Sequence, residues 1–254
     1  MSDFAFRPRL AALLSPASLA AFLLILAAAP LRAGSVLGED FNEDESHDYT
    51  GLPRWRLNLE AGYSQWMYNP DSLTPSYERY LNTLESGMNL AADFVWFPWD
   101  KGGVGMTWIW FLSKASQNDV QIDSGAIARH RLRDRASYVY YGPIFMSRLQ
   151  AGNFGLLVGS FSGGWMDFHY TISDDGIPGD VKASAFAVVA NVGWEYSVYR
   201  LVSFGINGRV VLCNIAKYTY NGKKIDINDN AGPDQWRNIG MSRFELDAGI
   251  RFGL

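Results

Sequence analysis

Arg243-Phe244-Glu245-Leu246-Asp247-Ala248-Gly249-Ile250-Arg251-Phe252-Gly253-Leu254 sorts its residues with a period of two. Phe244, Leu246, Ala248, Ile250, Phe252 and Leu254 form one set, and Arg243, Glu245, Asp247, Gly249, Arg251 and Gly253 the other. A helix turns 100° per residue and would mix the two sets. A strand turns 180° and sends them to opposite faces. One face is apolar along its whole length and the other is charged, so the segment predicts a strand between hydrocarbon and a polar interior.

The same sorting recurs upstream. Trp55, Leu57, Leu59, Ala61 and Tyr63 alternate with Arg56, Asn58, Glu60, Gly62 and Ser64; Leu84, Met88, Leu90, Ala92, Phe94 and Trp96 alternate with Glu85, Gly87, Asn89, Ala91 and Asp93. Phe186, Val188, Ala190, Val192, Trp194 and Tyr196 alternate with Ala187, Asn191, Gly193, Glu195 and Ser197. These runs exceed the ~5–6 residues of a globular strand and match the ~9–11 that cross a tilted bilayer path. Strands are predicted near 54–68, 83–97, 104–115, 136–148, 154–170, 184–198, 201–220 and 239–254. Short breaks at Trp99–Gly103, Gln150–Asn153 and Tyr199-Arg200 alternate with long polar stretches at Asn69–Asn82, Ser116–Arg135, Ser173–Lys182 and Asn214–Gly240.

The prediction is therefore all-β: a closed antiparallel up-and-down transmembrane barrel of about eight strands, with short periplasmic turns and long extracellular loops. Ten strands stay compatible, because Asn221-Gly222 is a strong hairpin signal. Lys217, Lys223, Lys224 and Asp226 would face lipid at high cost, so a hairpin extending the seventh strand above the membrane is preferred.

Upstream of the barrel, Arg7 and Arg9 precede an apolar stretch, Leu19–Ala29, and Leu31-Arg32-Ala33 offers a small-residue cleavage site. Residues 1–33 are read as a secretory signal peptide, 34–53 as an acidic flexible leader carrying Glu39, Asp40, Glu43, Asp44, Glu45 and Asp48, and 54–254 as the barrel domain. Of 22 Lys+Arg and 26 Asp+Glu, removing Arg7, Arg9, Arg32 and Asp3 leaves 19 against 25, a net charge of −6. This excludes a generally basic nucleic-acid binder. Cys213 is the only cysteine, so no intramolecular disulfide can form.

With the signal segment and the strand count, the alternating terminal strand resembles the small eight-stranded outer-membrane barrels of the OmpA and OmpX type, over Arg54 to Leu254. Phe244, Leu246, Ile250, Phe252 and Leu254 resemble the C-terminal signal read by the barrel-assembly machinery, although this chain ends in Leu254 where such signals usually end in an aromatic residue. The resemblance implies an integral outer-membrane location, contact with outer-membrane lipid, and a monomer. It fixes no activity.

An eight-stranded interior is only wide enough for side chains to fill. Arg56, Glu60, Glu85, Asp93, Glu195, Arg209, Arg243, Glu245, Asp247 and Arg251, with Asn58, Asn89, Asn191 and Asn207, are expected to form a polar lumen network. Trp55, Trp96, Trp108, Trp110 and Trp194 are read equally as interfacial belts or ordinary lipid-facing side chains.

Chemistry is sparse. His47, His130 and His169 show no metal-ligand spacing, so neither a metal nor a cofactor is expected. His169-Tyr170-Thr171 is the sharpest catalytic candidate, since outer-membrane lipid A deacylases use a His-x-Ser element with a downstream Glu. Here Thr171 replaces Ser, and the first such Glu is Glu195. Asp226, Asn228 and Asn230 before Gly232 resemble a calcium loop, but Arg237 stands where a bidentate Glu is needed. Gly159, Gly163 and Gly164 are expected to make room for bulky lumen neighbours. Arg129, Arg131, Arg133 and Arg135 alternate with His130, Leu132 and Asp134 in the second long loop; they could clamp lipopolysaccharide or another anionic glycan, or simply pair with Asp134 and neighbouring acids. Three functional classes follow: a non-catalytic barrel serving envelope integrity or surface interaction through its loops, a lipid A-modifying enzyme centred on His169, and a narrow channel.

Overall fold

The computed structural model describes residues 52–67, 74–121, 129–151, 155–199, 201–227 and 239–253. The expected signal segment, the leader up to residue 51, Asn228, Asn230, Gly232, Arg237 and Leu254 lie outside them. Eight long strands build the wall: β1 (Trp55–Trp66), β2 (Ser86–Trp96), β3 (Gly102–Val120), β4 (His130–Gln150), β5 (Leu156–Asp174), β6 (Ile177–Tyr199), β7 (Val202–Ile215) and β11 (Arg243–Gly253). Consecutive strands pair antiparallel from β1 to β7, β7 pairs with β11, and β11 closes on β1 with Leu59 opposite Ile250. The result is a closed eight-stranded up-and-down barrel.

The seventh strand breaks at Ala216. Beyond it, β8 (Lys217–Tyr220) and β9 (Lys223–Asp226) form a hairpin, joined through Asn221 (φ 46°) and Gly222 (φ 81°). Positive φ at both central residues fits the twist of a two-residue turn. The hairpin lies against the upper end of β6, with Val181 opposite Tyr220, so the charged lysines lie above the membrane and the count stays at eight. A two-residue strand, β10 (Ile239–Gly240), pairs with the end of β7.

Two regions depart from the sequence reading. Residues 75–85, taken as loop and strand start, form helix α1 (Pro75–Glu85). Thr74 caps it, its side chain accepting from the Tyr77 amide, and Pro75 sits at the first helical position, where its missing N–H is not needed. Glu85 is therefore the last residue of α1 rather than part of β2. Also, β3, β4, β5 and β6 run 19, 21, 19 and 23 residues, well past the predicted ends. Residues 116–120, 130–135, 173–174 and 177–182 are strand, with β5 and β6 joined by Asp175-Gly176 alone. Above the membrane a hydrogen-bonded ladder tolerates polar side chains on both faces, so the apolar alternation vanishes although the strand continues.

The exterior carries an apolar belt. Leu59, Tyr63, Met88, Phe94, Trp108, Tyr141, Phe145, Trp165, Phe186, Ile206, Phe244 and Leu246 are all exposed to the surroundings. At its lower edge Trp55 and Trp96 face each other across β1 and β2, with ring centroids 5.9 Å apart. So large an exposed apolar surface around a closed wall belongs in hydrocarbon.

The lumen is filled in three tiers. At the floor, Val95, Phe97, Ile144, Met146, Leu156 and Val158 pack together with Leu52 against them. There Arg148 donates to the Asp100 and Pro53 carbonyls at 2.8 and 2.9 Å, and its guanidinium lies 4.0 Å over the Phe97 ring. In the middle, Arg209 reaches Glu60 at 2.6 Å, Asp247 at 2.7 Å and Glu245 at 3.1 Å. Arg251 joins Glu60 at 3.0 Å and Glu195 at 3.3 Å, and Arg56 pairs with Glu195. Asp93 accepts from Asn58 and Thr107, while Asn89 donates to both Glu245 and Asp247. At the roof, Arg243 is sandwiched by Phe111, Trp66 and Tyr138, at 3.6, 4.4 and 5.0 Å from the ring centroids. Helix α1 lids this tier with Tyr80 and Leu84. Gly164 serves a backbone approach rather than a lumen side chain, since a Cβ there would lie 2.2 Å from the Tyr141 carbonyl oxygen.

Ile250 faces outward midway up the belt, whereas Phe244 sits near its extracellular edge. Ile250→Arg is expected to lower unfolding free energy in lipid by about 2–4 kcal/mol and Phe244→Arg by no more than about 1 kcal/mol. Denaturant titrations in vesicles give the comparison, and equal costs would reverse the assigned depth.

Candidate functional site

The arginine run lies on the extramembrane extension of β4. Leu132, Asp134 and Ala136 point inward and are buried, so Arg131, Arg133 and Arg135 project from the outer wall, with Arg129 exposed just before the strand. Successive outward positions on a strand are about 6.6 Å apart, so the guanidiniums form a ladder rising from the belt. Asp134 is not their partner: it accepts from the Tyr170 hydroxyl and, at 3.3 Å, from the Ser173 amide. Among the described residues none of the four arginines makes an ion pair.

The neighbouring strands shape this face. Lys114 of β3 stands directly opposite Arg135, and Ser116 opposite Arg133. Like charges in direct cross-strand opposition repel, and no acid among the described residues offsets this pair. Lys114 is one outward position above Leu112, so the cations begin where the apolar surface ends. Higher up, Arg129, Arg131, Arg133, His130 and Asn118, with the carboxylates of Asp119 and Asp175, line an open recess of about 370 Å³ against the β5–β6 turn.

The catalytic candidates occupy the same outer wall, one strand further on. His169 Nε2 pairs with Asp180 Oδ1, and Lys182 lies 2.9 Å from the other Asp180 oxygen. These contacts hold the exposed Asp180 carboxyl below its ordinary range, Lys182 first and His169 second. Thr171 is opposite Asp180 in register, but no hydrogen bond joins it to His169 among the described residues. The acid beside His169 is thus Asp180. Glu195 belongs to the lumen, paired with Arg56 and Arg251.

All of Arg56, Glu60, Asp93, Glu195, Arg209, Arg243, Glu245, Asp247 and Arg251 are buried in the lumen. Glu85 is buried as well, at the end of α1 under the roof. Phe244, Leu246 and Ile250 face outward, and Phe252 is half-buried at the periplasmic end. The sequence reading missed a further group, His130 with Asp174 and Asp175, whose donor atoms converge although the residues are more than forty positions apart.

No family model and no curated protein sequence matches the chain. Among solved structures, a major outer membrane protein of Thermus thermophilus aligns at a TM-score of 0.50 with 10% identity, over 78% of this chain and 98% of that one. OprG of Pseudomonas aeruginosa aligns at 0.46 and 10%, over 80% and 97%, and the neisserial surface protein NspA at 0.40 and 9%, over 79% and 97%. At such identities the likeness is one of fold. The apolar belt around the closed wall is the surface of an integral membrane β-barrel.

Burial pushes the Glu85 carboxyl up to about 7, offset in part by the Arg243 guanidinium. The folded protein then holds a proton that the unfolded chain releases near pH 4.5, so stability falls as pH rises through this window and levels off above it. Glu85→Gln should flatten that fall between about pH 5 and about pH 8 in denaturant titrations. An unchanged slope would show that the carboxyl does not contribute.

Proposed function

We propose that this outer-membrane barrel is a non-catalytic envelope protein whose β3–β4 wall binds the phosphate and carboxylate groups of the outer leaflet, lipopolysaccharide being the partner of matching chemistry. The observation that carries this reading is the ladder Arg129, Arg131, Arg133 and Arg135, joined by Lys114, none of which is held in an ion pair among the described residues. Guanidinium groups bind such anions in bidentate fashion. A bridging anion would also relieve the repulsion between Lys114 and Arg135. The height of the face supports a membrane-anchored ligand, since the cations start at the rim of the apolar belt. The three packed tiers of the lumen favour a barrel that does not conduct, for which planar bilayers should show no current steps.

Replacing all four arginines with Gln should weaken lipopolysaccharide binding by the refolded protein by about tenfold or more. Wild-type binding should also weaken as salt is raised. Undiminished affinity in the variant would remove this face as the site. The His169–Asp180 pair supports a second reading, a lipid A-modifying activity; a lipid A mass shift on expression that His169→Ala abolishes would favour it.

A further inference from the structure

His130 opens β4 beside the β5–β6 turn, and the backbone fixes it there. The Asp175 amide donates to the Arg131 carbonyl at 3.0 Å, the Arg131 amide donates to Asp175 Oδ1 at 2.8 Å, and Leu132 is in register with Asp174. On the other side, a bulge at Asp119 (φ 59°) brings Val120 opposite His130. Three donors converge in consequence. His130 Nδ1 lies 2.9 Å from Asp174 Oδ1 and 3.2 Å from Asp175 Oδ2, and one donor atom from each of the three residues falls within 4.8 Å of the other two.

Those separations have a specific meaning. Ligand bonds of about 2.0–2.1 Å in a tetrahedron put the ligand atoms roughly 3.4 Å apart, so two of the three edges are already near the required length. One imidazole nitrogen and two carboxylate oxygens suit a borderline divalent ion, whereas calcium asks for six to eight oxygens. Asp119 and Asp175 line the recess together with Arg129, Arg131 and Arg133, so carboxylates as well as guanidiniums face an ion there. His130 is partly exposed and Asp175 exposed, which leaves room for water in the fourth position.

We propose that His130, Asp174 and Asp175 form a surface site for a divalent transition ion, with zinc as the fitting case, that ties the start of β4 to the β5–β6 turn. The site shares the recess with the upper arginines, but none of its three donors belongs to the arginine ladder, so the two readings are tested by different substitutions. A His130–carboxylate ion pair alone would hold a similar geometry, so the experiment must detect the metal itself.

Zinc titrated calorimetrically into the full chain, refolded in detergent micelles, should fill one site per chain. His130→Gln and Asp174→Asn should each weaken that binding by roughly tenfold or more. His169→Gln, which removes the other outward-facing histidine of the wall, should leave it unchanged. Cobalt should give the visible absorption of a tetrahedral centre, bleached by zinc but not by calcium. Heat-modifiable migration on gels verifies that each variant is folded, and should one fail, the cobalt spectrum of the wild type carries the test. Absence of zinc binding, equal binding in folded His130→Gln, or loss in His169→Gln instead would overturn the assignment.

Discussion

Hydrocarbon offers no partner to a backbone amide, and every strand of this chain is arranged around that constraint. A sheet with free edges would leave a row of unpaired groups on each. Here the last strand closes the ring, pairing with β1 over Arg56–Trp66 and with β7 over Val202–Val211. Once the ring is closed, alternation leaves little choice. One face of each strand must be apolar to meet lipid, and the other points into a space no wider than the side chains that enter it.

That narrowness explains the lumen. Charges taken out of water are costly unless paired and hydrogen-bonded, and removal of a single partner leaves the other stranded. Arg209 accordingly meets three carboxylates and Glu60 meets two guanidiniums, so neither depends on one contact. Arg243 solves the same problem differently. Its guanidinium has no hydrogen-bond acceptor among the described residues and rests between aromatic faces, whose quadrupoles attract a cation. The network ties strands on opposite sides of the barrel, such as β1 to β6 through Arg56 and Glu195.

Where lipid imposes its period, the sequence is readable. Arg243–Phe252 and Phe186–Tyr196 announce their strand character and facing residue by residue, and the acids and bases of the inner face stand out by the same alternation. Above the membrane the signal fades. Arg131, Arg133 and Arg135 alternate with His130, Leu132 and Asp134, yet with water outside, a ladder and an extended loop carry similar residues. Helix α1 was hidden by polarity although Thr74-Pro75-Ser76 is a recognisable start. The meetings of His169 with Asp180 and of His130 with Asp174 and Asp175 depend on cross-strand register, which no local pattern encodes. The inward turn of Asp134, which separates it from the arginines beside it, is set by the same register.

The strands are also of unequal length. β3 to β6 run 19 to 23 residues against 11 or 12 in β1, β2 and β11, a difference worth roughly 20 Å of height at ~3.3 Å per residue and the usual tilt. The rim is therefore a palisade on one side and a low parapet, lidded by α1, on the other. A palisade has a broad flank as well as a crest. Objects arriving from the medium meet the crest, but the flank is addressed sideways, by molecules diffusing in the plane of the same leaflet. A ligand anchored in that leaflet would meet the flank in two dimensions: surface density within the leaflet, rather than concentration in the surrounding fluid, would set its occupancy.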